Sequence, residues 1–165
     1  MPFNVVSNIE NYLLLGNFGV EVKGSKVKII EPSNKIQFGD WTNQGLPFYG
    51  GALTYRTKIM GGANTEVRLG LLSAPCVVAY LDGKKVANIS LNPHSADLGD
   101  LSEGEHTLDF VVYASRVNTF GTFHWTHRCH TWYGPPAWRS KGADWSYEYW
   151  IKESGILSAP RIIKK

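Results

Sequence analysis

Val78-Ala79-Tyr80-Leu81-Asp82-Gly83-Lys84-Lys85-Val86-Ala87 places two strand-like runs on either side of an Asp-Gly pair. Asp and Gly accept the positive φ that a tight two-residue turn demands, so this stretch predicts an antiparallel hairpin. Downstream, Leu101-Ser102-Glu103-Gly104-Glu105-His106-Thr107-Leu108 turns into Leu108-Asp109-Phe110-Val111-Val112-Tyr113. The second run alternates only partly, as expected of a strand that packs on both faces.

Working outward, short β-branched or aromatic runs recur between Gly, Pro, Asn and Asp. Strands are predicted at Tyr12–Leu15, Val20–Val22, Lys26–Ile30, Ala52–Met60, Glu66–Leu72, Val77–Leu81, Lys85–Leu91, Thr107–Ala114 and Ser146–Ile151, with almost no helix. About nine strands at this spacing indicate an all-β, antiparallel β-sandwich. With 165 residues and no internal repeat, low-complexity tract or linker, residues 1–165 are expected to form one domain.

The composition, 43% hydrophobic and 19% charged, is that of an ordinary folded chain. Seventeen basic and fourteen acidic side chains leave a formal net charge of +3, scattered rather than gathered into a stripe, which argues against nucleic acid as a partner. Lys23–Lys28 and Lys164-Lys165 read as solvated surface. No apolar run approaches the roughly 18 residues a membrane-spanning helix needs, so no membrane partner is expected. No signal peptide precedes Asn4, and the Met-Pro start suggests a domain cut from a longer chain. Cys76 and Cys129 could form one disulfide, but Cys76 lies in the apolar run Pro75–Tyr80, where a buried thiol is the default.

Aromatic residues make up 13% of the chain, with six Trp and eight Tyr. Between Tyr113 and Trp145 strand patterning breaks down: Gly121, Gly134, Pro135, Pro136 and Gly142 punctuate a stretch crowded with His124, Trp125, His127, Arg128, His130, Trp132, Tyr133, Trp138 and Arg139. Long irregular connections in compact domains often carry function. A pyranose ring offers flat C–H patches rimmed by hydroxyls, so its receptor needs aromatic platforms and a few planar polar groups. Trp125, Trp132, Tyr133 and Trp138 can supply the platforms. Asn118, His124, His127, Arg128 and Arg139 can supply the polar edge.

Asp40, Trp41 and Asp144 form a second tier of candidates. An Asp beside a turn more often caps the local backbone. Trp41, Trp145, Tyr147, Tyr149 and Trp150 flank or occupy strand-like segments, where large rings are expected to fill core.

Gly39-Asp40-Trp41-Thr42-Asn43-Gln44-Gly45-Leu46-Pro47-Phe48-Tyr49-Gly50-Gly51, Asn118-Thr119-Phe120-Gly121 and the closing stretch from Tyr149 to Pro160 together resemble galactose-binding-like jelly rolls attached to glycoside hydrolases. In particular they are similar to the sugar-binding domain of family 2 glycosidases and to terminal domains of rhamnosidase-like enzymes. The likeness runs from about Tyr12 to Ile162 in the order of elements. It implies a jelly-roll module without catalytic residues of its own, which binds glycan or packs against the catalytic domain of its parent enzyme. It also implies a secreted or periplasmic bacterial setting. The Asn-x-x-Gly corner with a nearby His is matched by Asn118, Gly121 and His124. The segment from Trp125 to Tyr133 is richer in aromatic and imidazole groups than a purely structural copy requires.

Other chemistries are less well supported. His124-Trp125-Thr126-His127-Arg128-Cys129-His130 invites a zinc reading, but three-residue steps along a strand send successive His side chains to opposite faces. No metal or other cofactor is therefore expected, although a structural calcium held by scattered carbonyls leaves no sequence signature. Gly-x-Ser-x-Gly, His-Glu-x-x-His and phosphate-loop patterns are missing. A glycosidase would need paired carboxylates, for which Asp40, Asp144 and Glu148 are the candidates. The leading expectation is a non-catalytic module that binds plant or microbial polysaccharide. The alternatives are an accessory domain docked on a glycoside hydrolase catalytic domain and, next, a small glycosidase or lyase.

Overall fold

The computed structural model describes residues 13–126, 135–138 and 140–164. Among them the chain is nearly all β, an antiparallel sandwich whose larger sheet has the order β3-β9-β6-β7. These strands are Ala52–Met60 (β3), Cys76–Leu81 (β6), Lys84–Ile89 (β7) and Glu105–Tyr113 (β9). The smaller sheet has the order β11-β4-β8, from Arg161–Lys164 (β11), Thr65–Arg68 (β4) and Ser95–Gly99 (β8). Gly19–Lys23 (β1) and Lys26–Ile30 (β2) make a separate ribbon, and Leu72–Ser73 (β5) pairs with Gly155–Ile156 (β10).

The Asp-Gly hairpin forms as the sequence predicts. Asp82 has φ 47° and Gly83 φ 79°, joining β6 to β7 through two residues. The register then slips between Ala79 and Tyr80, so that Val86 is an extra residue in β7. Such a bulge twists the strand locally.

β3 and β9 pair along nine residues each, and alternate positions point inward. Tyr55 meets Phe110, which meets Ala79 on β6, while Val112 lies between Leu53 and Val77. From the smaller sheet, Val67 and Ala96 face the same core. Trp41, Phe110, Leu108, Val77, Val112 and Ile156 are fully buried there. Burying a ring or aliphatic side chain of this size contributes roughly 1.5–3 kcal/mol each, which is why the core, rather than any surface pair, holds the sheets together.

Trp41 reaches the core from a 3-10 turn, Trp41–Gln44. Asp40 caps that turn: its carboxylate accepts from Thr42 N (3.0 Å), Thr42 Oγ1 (2.7 Å), Asn43 Nδ2 (2.9 Å) and, across the chain, Ser154 N (3.1 Å). Trp41 N donates to Ser154 O and Gly39 N to Ile156 O, so the turn is tied to the segment that carries β10. Phe38 stacks on Tyr55 at 5.0 Å, and burial pushes the Tyr55 phenol up to about 12. The Ile156 backbone lies near enough to favour the phenolate, but its geometry falls short of a hydrogen bond.

Several expectations are corrected. Residues 13–15 are not a strand and their Leu side chains are exposed; Tyr12 lies outside the described residues. Glu66–Leu72 is broken at Leu69, Gly70 and Leu71, between the end of β4 and the start of β5. The segment 146–151 is irregular, and Tyr147 and Trp150 stand out in solvent rather than in the core. β8, β10 and β11 were not foreseen, because each is short or carries charge among its apolar residues. Among the described residues there are eleven strands rather than nine. Cys76 is a free, half-buried thiol at the start of β6; Cys129 lies outside the described residues.

Candidate functional site

Beyond β9 the chain makes a four-residue helix, Val117–Phe120 (α1), that ends at Gly121. A Cβ at Gly121 would sit 2.1 Å from the Val117 carbonyl oxygen, so only glycine permits this exit. Asn118, 5% exposed, faces inward and clasps the backbone of Lys152: its Nδ2 donates to the Lys152 carbonyl (2.7 Å) and its Oδ1 accepts the Lys152 N–H (3.0 Å). Thr119 Oγ1 donates to Phe48 O at 2.9 Å. Two chain segments distant in sequence are thereby locked to α1.

The next residues zip against the 144–150 segment. Thr126 N donates to Asp144 O, Ser146 N to His124 O and Trp150 N to Phe123 O, with Trp125 and Trp145 as bridge partners. This irregular ladder gathers rings. Phe123 packs edge-on to Phe48 at 5.3 Å, His124 lies 4.6 Å from Tyr149 and 6.0 Å from Trp145, and Tyr147 stands edge-on to Trp145 at 4.4 Å. Offset and edge-on pairs of this kind hold aromatic surfaces in fixed orientations.

An open cleft of about 490 Å³ lies here, walled by residues 119–124, by Ala137, Trp138 and Ser140, and by Trp145, with Leu13 also lining it. Trp138 stands on a 3-10 turn, Pro135–Trp138, and is 54% exposed; Phe120 is 56% exposed. His124 Nδ1 lies 3.3 Å from the Glu148 carbonyl. A carbonyl only accepts, so Nδ1 is the donor in that contact; a neutral ring so placed presents Nε2 as an acceptor and a charged ring presents it as a donor. The cleft therefore combines apolar ring surface with Thr119, Thr122 and Ser140 hydroxyls and one imidazole. Tyr149 also lines a second, smaller pocket of about 290 Å³ that includes Asp40, Asn43 and Glu153.

Of the residues the sequence nominated, His124 and Trp138 meet in the larger cleft. Trp125 is half-buried beside it and Asp144 is exposed, its carbonyl accepting Thr126 N. Asn118, Asp40 and Trp41 serve the framework instead: the first clasps Lys152, the second caps a turn, the third is buried in the core. His127, Arg128, Trp132, Tyr133 and Arg139 lie outside the described residues, as does His130 of the zinc reading. Among the described residues no group of His, Cys, Asp and Glu is placed to hold a metal ion. The sequence reading missed Phe120, Phe123 and Trp145. The run Thr119-Phe120-Gly121-Thr122-Phe123, with two rings on either side of an obligatory glycine, was the available signal.

Among the described residues no helix is long and apolar enough to cross a membrane. No protein-family pattern matches the chain, and no curated protein matches it. Among solved structures it is similar to part of a β-galacturonidase of glycoside hydrolase family 2 from Eisenbergiella tayi bound to galacturonate (21% identity, TM-score 0.43, covering 60% of this chain and 18% of that one). It is also similar to part of a β-D-glucuronidase from Dictyoglomus thermophilum (16% identity, TM-score 0.36, covering 67% and 19%). Against a rhamnosidase from Novosphingobium sp. PP1Y the TM-score is 0.54 at 15% identity, covering 97% of this chain and 16% of that one. The chain thus spans about a sixth of that rhamnosidase and has an all-β fold that occurs within a glycoside hydrolase.

Proposed function

We propose that this chain is a non-catalytic, jelly-roll carbohydrate-binding module of a larger glycoside-active protein, and that the cleft between Phe120, Trp138 and Trp145 receives the glycan. The observation that carries this reading is the pairing of exposed rings with an imidazole held by a backbone carbonyl in one open cleft. A pyranose would lay its C–H face on Trp138 or Trp145 while His124 Nε2 and the neighbouring hydroxyls engage its hydroxyl rim. Plant or microbial polysaccharides are the proposed ligands. The occurrence of this fold inside a rhamnosidase supports the setting in a carbohydrate-active enzyme.

A shallow cleft that must order a flexible glycan binds modestly, at about 10 µM to 1 mM. Affinity electrophoresis of the protein in gels containing neutral polysaccharides tests the reading. Retardation by one glycan class, abolished by Trp138→Ala or Trp145→Ala and weakened by His124→Ala, is the expected result. No retardation by any glycan would overturn it.

A second reading is favoured by the apolar content of the same region, where Leu13, Phe120 and Trp138 are all more than half exposed. These side chains would then form an interface with a catalytic domain of the parent enzyme. In that case the Trp138→Ala variant would lose association with the parent's catalytic domain while no glycan bound either form.

A further inference from the structure

The geometry points to a separate oxyanion site on the outer face of the smaller sheet, where Arg68 of β4 and Arg161 of β11 would hold the carboxylate or sulfate of an acidic glycan. The two arginines are direct cross-strand partners, so their side chains leave the sheet on the same face. Like charges placed opposite each other destabilise a strand pair. An anion bridging both guanidinium groups reverses that repulsion.

Three further observations agree. Arg68 and Arg161 line a cleft of about 420 Å³ together with Leu69, Gly70, Leu71, Ser158 and Ala159, a lining without a carboxylate. Arg68 engages Glu66 through Nη2 alone (3.0 Å), which leaves other N–H groups of its planar fork to donate, and Arg161 has no ion pair among the described residues. Ser158 Oγ accepts the Leu71 N–H at 2.9 Å, so its own proton is the third donor at the cleft. Gly70 lets this hydroxyl approach, because a Cβ there would lie 2.4 Å from Ser158 Oγ.

The cleft lining offers two Arg forks and a hydroxyl, and the neighbouring Glu66 carboxylate engages only Nη2 of Arg68; such a donor excess favours an oxyanion, and charge-assisted bonds from two Arg forks suit a carboxylate or a sulfate equally. Leu71, 67% exposed, gives the same cleft an apolar shoulder against which the C–H face of a sugar ring can rest. Choosing a glycan as the carrier of that anion rests on the proposed carbohydrate role; the donor set itself does not.

The test is affinity electrophoresis of the whole chain in gels containing polygalacturonate, dextran sulfate or uncharged dextran, with Arg161→Ala, Arg68→Ala and, as a charge-matched control on the separate β1–β2 ribbon, Lys26→Ala. Retardation by polygalacturonate, dextran sulfate or both is expected, with the carboxylate and sulfate arms separating the two sources of the anion. Arg161→Ala should weaken it by about tenfold, as loss of a charge-assisted contact does, while Lys26→Ala weakens it by less than about twofold. Arg161→Ala should also unfold at a temperature no lower than the parent in ligand-free buffer, since it removes a repulsion. Because Arg68 also neutralises the largely buried Glu66, Arg161→Ala is the deciding variant if Arg68→Ala fails to fold. Equal weakening by Arg161→Ala and Lys26→Ala, or no retardation by either polyanion, would overturn the site. Trp138→Ala should leave polyanion retardation unchanged, so this outcome is independent of the aromatic cleft.

Discussion

Asn118 shows how a single residue can be read for one job and do another. Opening an Asn-x-x-Gly corner beside a histidine, it reads in the sequence as a sugar ligand, yet its amide holds both backbone groups of Lys152. Asn118→Ala should therefore cost about 2–4 kcal/mol, since two buried hydrogen bonds are lost and their backbone partners are left unsatisfied. Urea denaturation measures this as a lower midpoint at unchanged slope. Trp41→Ala should cost about 3–5 kcal/mol by the same measurement, because the ring is fully buried. Sequence patterning could place Trp41 in the core, since a large ring beside a strand-like run usually packs inward. It could not place Trp145, Tyr147 and Trp150, because the 144–150 segment folds as irregular turns against residues 123–126 rather than as a strand. Alternation has no meaning in such a segment.

At the scale of elements, the β6–β7 hairpin was fully legible, because its turn depends on two adjacent residues and no distant partner. A Cβ at Gly83 would meet nothing within 4 Å, so Gly83→Ala should destabilise by about 1–2 kcal/mol through backbone conformation alone. Gly83→Asn should be milder, since Asn tolerates positive φ; chemical denaturation of the pair tests this. The same turn is anchored to β9. Asp82 Oδ1 accepts Thr107 N at 2.8 Å, and Asp82 Oδ2 meets His106 Nδ1 at 2.6 Å. His106 lies above its ordinary 6.5, chiefly through its bond to Asp82 and then through the Ser102 carbonyl. Asp82 lies below its ordinary 3.8, chiefly through His106 and then through the Thr107 N–H. The raised His stabilises fully below its unfolded pKa and loses this as pH rises through the folded value. The lowered Asp stabilises fully above its unfolded pKa and loses this as pH falls. The pair therefore supports the fold most between about pH 4 and 6.5. Asp82→Asn keeps a residue suited to the turn and removes the charge. Its melting temperature should fall furthest below the parent's near about pH 5, and the gap should narrow as the pH rises through the raised His106 value. Strands β8, β10 and β11 were illegible for the opposite reason: each is defined by a partner far away in the chain, and none has a local turn signal like Asp-Gly.

For the whole molecule, the all-β class follows from the spacing of short runs and turns, and the aromatic crowding after Tyr113 points to the region where the ring-lined cleft lies. The assembly of that cleft is not legible in the same way. The cleft is built by bringing α1, the 3-10 turn at Pro135–Trp138 and the loop holding Trp145 together, a proximity that no pattern within any of them encodes. Among the described residues, both sheets contribute to one hydrophobic core. Thermal unfolding followed by far-ultraviolet circular dichroism and by tryptophan fluorescence should accordingly give coincident transitions. Phe110→Ala, at the centre of the larger sheet, should lower both together.

The pairing of β11 with β4 has a consequence for how the protein is made. Residues 161–164 join residues 65–68 at one edge of the smaller sheet, and Ser154 and Ile156 complete the bonding of the Trp41 turn. During synthesis, one side of β4 stays unpaired until residues 161–164 have left the ribosome. Closure across so long a separation is slow, and exposed edges invite association with other chains. A nascent chain stalled before Arg161 should therefore resist proteases poorly and engage chaperones, whereas release of residues through Lys164 should be followed by the gain of protection in a single step.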